Sequence, residues 1–155
     1  MDSHQDMELS LIQKLIEYEE ALSQLYAACA QRFPRHQDLW SRLSSDEHSH
    51  GEVLRVLYGK CQRKSLGINQ RRFSPQALGT ALAYVRTLIT QMREGKISYP
   101  KALSLARDVE SSVIEKRFYE VFSGESEELA KVFRALEMET REHRDRLAAL
   151  AADNR

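Results

Sequence analysis

Apolar residues recur along this chain at steps of three and four, the spacing that lines one face of an α-helix, while every-second-residue alternation is nearly absent. The stripe Ile12, Leu15, Glu19, Leu22, Tyr26, Cys29, Phe33 predicts a helix over 7–33, ended by Pro34, which cannot continue it. A second stripe, Trp40, Leu43, Glu47, His50, Leu54, Leu57, Cys61, predicts a helix from a cap at Asp38 to about Lys60. Residues 61–73, with Gly67, Asn69 and several basic side chains, read as a loop. Ser74 and Pro75 supply a cap followed by proline at the first helical position. The third helix that they start carries Leu78, Leu82, Val85, Ile89 and Met92 on one face and stops at Gly95. Ser98, Tyr99 and Pro100 open a fourth, expected to run to Ser123 and Gly124. Ser126, followed by Glu127 and Glu128, caps a fifth that extends almost to the last residue.

Five helices without a sheet predict an all-α fold in a single domain, 1–155. The helices starting at 7, 38, 100 and 126 are each expected to span about 24 residues, or roughly 36 Å. The shorter helix over 75–94 lies inside the connection between the second and third long ones. Two helical hairpins joined by one long crossover satisfy these lengths. So does an up-and-down bundle with a fifth helix packed on.

Composition narrows the function classes. At 155 residues, 42% of them apolar and 30% charged, the chain can build one real core and is neither disordered nor membrane-embedded. The 23 basic and 23 acidic residues cancel, so no global field recruits nucleic acid or anionic lipid. Lys60, Arg63, Lys64, Arg71 and Arg72 make the crossover basic, but without interleaved aromatics they read as a solvated loop. No apolar run reaches the length of a membrane span, and the amino terminus lacks the pattern of a secretory signal. Cys29 and Cys61 form no CxxC pair and fall on apolar stripes, where cysteine acts as a small buried residue; a reducing, cytoplasmic setting is expected. Phosphate loops, nucleotide-binding glycine runs, nucleophile elbows and zinc-protease helices are not encoded.

The chemistry lies in the polar residues that interrupt the stripes. Glu19 sits on the first, and Glu47 with His50, three residues apart on one face, on the second. The fourth helix gives Leu103, Ala106, Glu110, Val113, Ile114 and Val121. The fifth gives Leu129, Phe133, Leu136, Thr140, His143, Leu147 and Leu150. Three carboxylates and two imidazoles are thus expected to point inward near mid-helix. Buried carboxylates must be neutralised, paired or metallated. Carboxylate oxygens with neutral imidazoles suit Fe(II), Mn(II) or Zn(II), and the alternative is a Glu–His hydrogen bond inside a metal-free core. Tyr26, two turns past Glu19, is expected to pack with its hydroxyl on a carboxylate such as Glu47. Thr140 reads as a small polar filler. His36 and His48 are expected to face solvent.

With these residues the chain resembles, over nearly its whole length, the rubrerythrin branch of the ferritin-like di-iron carboxylate superfamily. Glu19 with Tyr26 matches the first-helix pattern, and Glu47 through His50 matches the first Glu-x-x-His. Glu110 is similar to the third-helix carboxylate, and His143 to the second imidazole. Leu25 to Ala28 and Glu115 to Phe118 also look like rubrerythrin segments. The resemblance implies a ferritin-like four-helix bundle with an extra helix in its crossover, and a metal centre at Glu19, Glu47, His50, Glu110 and His143. That centre would hold one or two transition-metal ions, iron above others. Two irons imply oxidoreductase chemistry with oxygen or peroxide, bridged by Glu47 and Glu110; one implies storage, sensing or structure. It also implies a homodimer, and no electron donor is named by it. The departure is Thr140, which stands where the family has a bridging carboxylate; Glu139 and Glu142 are candidate substitutes. In the third-helix register Glu115 competes with Glu110, whose apolar flanks favour it. The competing expectation is a metal-free interaction or scaffold module.

Overall fold

The computed structural model describes residues 3–67, 75–112 and 127–153. Among them all regular structure is helical: α1 (Ser3–Arg32), α2 (Gln37–Arg63), α3 (Pro75–Arg93), α4 (Tyr99–Glu110) and α5 (Glu127–Asp153). The all-α expectation holds for these residues. No helix among them is long and apolar enough to cross a membrane.

The helix ends follow local chemistry; α1 begins at Ser3, four residues before the expected start at 7, and three further ends depart from expectation. Pro34 ends α1, but the chain then makes one tight turn, Pro34–His36, that runs directly into α2. The residue capping α2 is therefore His36, which makes no side-chain cap bond, and Asp38 falls within the first turn, where its charge suits the helix dipole. At its other end α2 continues through Cys61 to Arg63, because Cys61 is buried on the helix's own apolar stripe. The loop expected from Cys61 thus starts at Lys64, whose backbone is extended. The third departure is α4, which stops at Glu110; Ser111 leaves helical geometry at φ −95° and ψ 3°. Two successive serines explain the stop, since their short hydroxyls compete with helical backbone hydrogen bonds. Residues 113–126, which include Val113, Ile114, Glu115, Val121 and the Ser126 cap, lie outside the described residues, as do Ser74, Arg71 and Arg72. Ser98 does cap α4, accepting a hydrogen bond from the Lys101 backbone N–H at 3.3 Å. Gly95 does end α3: its φ of +72° suits the left-handed closing turn, and its N–H donates to the Met92 carbonyl at 3.1 Å. A side chain there would also collide with Arg32, since a Cβ would lie 2.7 Å from the guanidinium.

The described helices fall into two compact units, α1 to α3 in the first and α4 with α5 in the second. In the first, α1 packs against both α2 and α3. Helices α1 and α2 are antiparallel, as their cross-pairs show: Gln5 meets Cys61, Glu20 meets Arg55, and Ser23 meets Ser44. Buried along them are Ile12, Leu15, Leu22, Tyr26, Cys29, Trp40, Leu43, Leu54, Leu57 and Cys61. Tyr26 stacks on Trp40 with ring centroids 5.9 Å apart, and Phe33 sits on the other side of Trp40 at 6.5 Å. In the second unit α4 buries Ala102, Leu103, Ala106 and Val109, and α5 buries Phe133, Leu136 and Leu147.

Burial pushes the Cys29 thiol up from 9.0 to about 12, against a backbone hydrogen bond that lowers it. Burial also pushes up Cys61, with the Glu8 carboxylate adding to the effect. The unfolded chain gives up the Cys29 proton near pH 9.0 and the folded chain keeps it to about 12. Across that window the folded state binds more protons, so its stability is intact below the window and falls as pH rises through it. One such group costs about 1.4 kcal/mol per pH unit. Denaturant titrations at about pH 8 and about pH 10.5 are expected to show this loss. The drop should be smaller in Cys29→Ala; equal drops in the two proteins would refute the assignment.

Candidate metal centre

Every polar residue that the helical stripes turn inward is buried. On α1, Glu19 is 2% exposed; on α2, Glu47 and His50 are 1% and 2% exposed. Their flanks one turn away, Leu15 and Leu22 on α1 and Leu43 and Leu54 on α2, are buried apolar side chains. The helical repeat explains the positions: Glu47 and His50 share a face three residues apart, and antiparallel packing brings Glu19 of α1 to the same level.

The geometry is that of a small donor cluster. His50 turns Nδ1 toward both carboxylates, 3.3 Å from Glu47 Oε2 and 4.0 Å from Glu19 Oε2. One donor atom from each of the three residues lies within 4.8 Å of the others. A first-row ion with bonds of about 2.1 Å holds adjacent donors about 3 Å apart and opposite donors about 4.2 Å apart. The cluster needs only side-chain adjustments of less than an ångström to match. Two carboxylates and a neutral imidazole carry a formal charge of minus two, which a divalent ion cancels. In an interior of low dielectric, such an ion would offset part of the cost of burying them.

The second unit carries its own carboxylate–imidazole pair. Glu110, 3% exposed, is the last residue of α4, and His143, 5% exposed, lies on α5. His143 Nδ1 stands 3.8 Å from Glu110 Oε1. The inward placement of Glu110 agrees with its apolar flanks; Glu115 lies outside the described residues. Thr140, one turn before His143, is also buried, whereas Glu139 and Glu142 are exposed and do not take the place of a carboxylate at Thr140.

Two features were not anticipated. Glu8 is fully buried at the start of α1, where it accepts hydrogen bonds from the Ser65 hydroxyl and from the Leu66 N–H, the latter at 3.0 Å. Beside it Gln5 donates to the Cys61 and Gln62 carbonyls at 2.6 and 3.1 Å, so the first turns of α1 tie down the end of α2. The signal was present: Glu8, Ile12, Leu15 and Glu19 extend the first stripe by one turn. The second feature is a surface network. His48 faces solvent as expected, but it lies 3.3 Å from Glu20 and 3.8 Å from Glu52. Arg55 bridges the same carboxylates at 3.1 and 2.5 Å. Its hydrogen bond to Glu20 is the main cause holding the guanidinium above its ordinary pKa. Arg55 is itself the cation of that group, and its side chain and those of His48 and Glu52 are 44% to 56% exposed, so water screens the network.

The chain matches no protein-family model, no curated protein and no solved structure. Functional assignment therefore rests on the residues themselves.

The His50 imidazole lies 3.3 Å from Glu47 and 4.0 Å from Glu19. His50→Ala should then destabilise the first unit by about 3–5 kcal/mol, the usual cost of removing one partner of a buried charged pair. Urea unfolding in the presence of chelator measures this. A loss below about 1 kcal/mol would mean that the carboxylates are neutralised by protonation instead.

Proposed function

We propose that this chain is a rubrerythrin-like member of the ferritin-like superfamily that binds a first-row divalent metal, iron above others, in a helical bundle. The observation that carries this reading is the Glu19–Glu47–His50 cluster: three buried residues from two helices, each offering a donor atom within 4.8 Å of the others. A chance set of three buried polar residues would rarely converge on one point, because each costs desolvation free energy that convergence alone does not return. Glu110 and His143 add a second donor pair of the same chemistry. Iron bound by such ligands would supply redox chemistry with oxygen or peroxide. The protein's part is to hold the carboxylates ionised, to turn the His50 Nδ1 toward the ion, and to keep bulk water away with Leu15, Leu22, Leu43 and Leu54.

The first test is elemental analysis of protein purified without chelator or metal-affinity tag, repeated after anaerobic Fe(II) loading. One or two ions per chain are expected, with binding lost in Glu47→Ala. Loss in His143→Ala as well would give the second pair a share in the metal, and retention would restrict it to the first cluster. A well-folded chain that takes up no metal in either preparation overturns the reading.

One observation favours a second reading, a metal-free scaffold: Thr140 is buried where the family places a carboxylate, and neither Glu139 nor Glu142 replaces it. Thr140→Glu separates the two. Tight Fe(II) binding that appears only in the variant supports the scaffold reading, whereas an Fe(II) affinity already present in the parent and unchanged by the substitution supports a complete site.

A further inference from the structure

Beside the donor cluster α1 and α2 meet through small residues that have no metal chemistry of their own. Ser23 lies one turn after Glu19, and Ser44 one turn before Glu47. Each hydroxyl donates to the other residue's backbone carbonyl at 2.8 Å, and the two hydroxyl oxygens are 3.1 Å apart. Serine is the shortest side chain that can hydrogen-bond across to a facing backbone. A reciprocal pair of such bonds therefore requires the two backbones to lie close together.

On the far side of the cluster Gly51 follows His50. A Cβ there would lie 2.9 Å from the Glu20 carboxylate and 3.9 Å from the Glu19 Cβ. Here too α1 approaches α2 to van der Waals contact, with no room for a side chain unless Glu20 moves. The close approaches thus bracket Glu19, Glu47 and His50 on both sides.

We propose that Ser23, Ser44 and Gly51 are positioning residues that set the α1–α2 spacing at this cluster and thereby favour the smaller first-row divalent ions, such as Co(II), over larger ones, such as Mn(II). The inference rests on the metal-binding reading above and assigns it a basis for selectivity. Glu19 comes from one helix and Glu47 and His50 from the other, so the separation of the helices sets the bite of the site. Zn²⁺-sized ions need bonds of about 2.0–2.2 Å, and the preferred length grows with ionic radius toward the 2.3 Å and more of Ca²⁺, with Mn(II) larger than Co(II) on that scale. A close seam matches the shorter bonds. Widening it lengthens the reach from Glu19 to the α2 donors, which penalises a small ion more than a large one.

The experiment is a wedge. Ser44→Leu replaces a hydroxyl directed at the α1 backbone with a branched side chain. Ser44→Ala keeps the side chain small and serves as the conservative control. Co(II) and Mn(II) are titrated into wild type and both variants, with the Co(II) d–d spectrum recorded at saturation. Ser44→Leu is expected to lose Co(II) affinity by about 10- to 100-fold, the usual effect of disturbing residues that support a metal's ligands. Mn(II) affinity should fall less, so the Co(II)/Mn(II) affinity ratio drops and the Co(II) bands shift, while Ser44→Ala keeps the wild-type ratio. A folded Ser44→Leu with the wild-type ratio and spectrum overturns the inference and leaves the metal-binding reading standing. A wild type that binds neither ion removes both. Should Ser44→Leu fail to fold by circular dichroism, Ser23→Val supplies a smaller wedge at the same crossing and is judged by the same ratio.

Discussion

Two carboxylates and an imidazole buried at one level of an antiparallel helix pair form the constraint around which the first unit is organised. Glu19, Glu47 and His50 are each no more than 2% exposed, so none of them recovers the hydration that it loses on folding. Part of the compensation is mutual: the His50 nitrogen lies 3.3 Å from one carboxylate and 4.0 Å from the other. That geometry exists only if α1 and α2 are close and in register. The small residues Ser23, Ser44 and Gly51, at which α1 and α2 meet beside the cluster, suit such closeness.

The ends of the helices hold this register in place. Gln5 and Glu8 fasten the start of α1 to the end of α2 and to the residues just beyond it, using carbonyls and N–H groups that a helix end leaves without helical partners. At the opposite end of α1, Arg32 lies over the closing turn of α3 at Gly95, a favourable place for a cation. The Glu20, His48, Glu52 and Arg55 network uses the same residue types as the buried cluster, one face further round, yet its chemistry differs. In water, with Arg55 supplied by the chain itself, carboxylates are already satisfied. In the interior, Glu19 and Glu47 are shielded from water and lie beside an imidazole in place of a guanidinium.

The second unit repeats the motif with less. Glu110 ends α4 and faces His143 of α5, and Thr140 adds a hydroxyl instead of a third charge. A neutral residue at that position lowers the negative charge available to an ion. It also removes a ligand that could bridge two. On the proposed metal-binding reading, Thr140 therefore bears directly on how many ions the two donor groups could hold.

The stripe pattern alone determined the five helices' approximate places and the inward orientation of Glu19, Glu47, His50, Glu110, Thr140 and His143, because a period of 3.6 residues assigns each side chain to a face before any partner is known. It would also have found Glu8, had the first stripe been followed one turn further back. Helix ends were less legible: His36 took the capping position from Asp38, α2 ran on to Arg63, and two serines stopped α4 at Glu110, each decided by a neighbour's packing or local competition for hydrogen bonds. What only the tertiary structure decided is which inward residues meet and how closely. Periodicity places a side chain on a face, but the distance from Glu19 to His50 depends on the separation and register of two helices, and those follow from packing and hydrogen bonds between residues far apart in the chain.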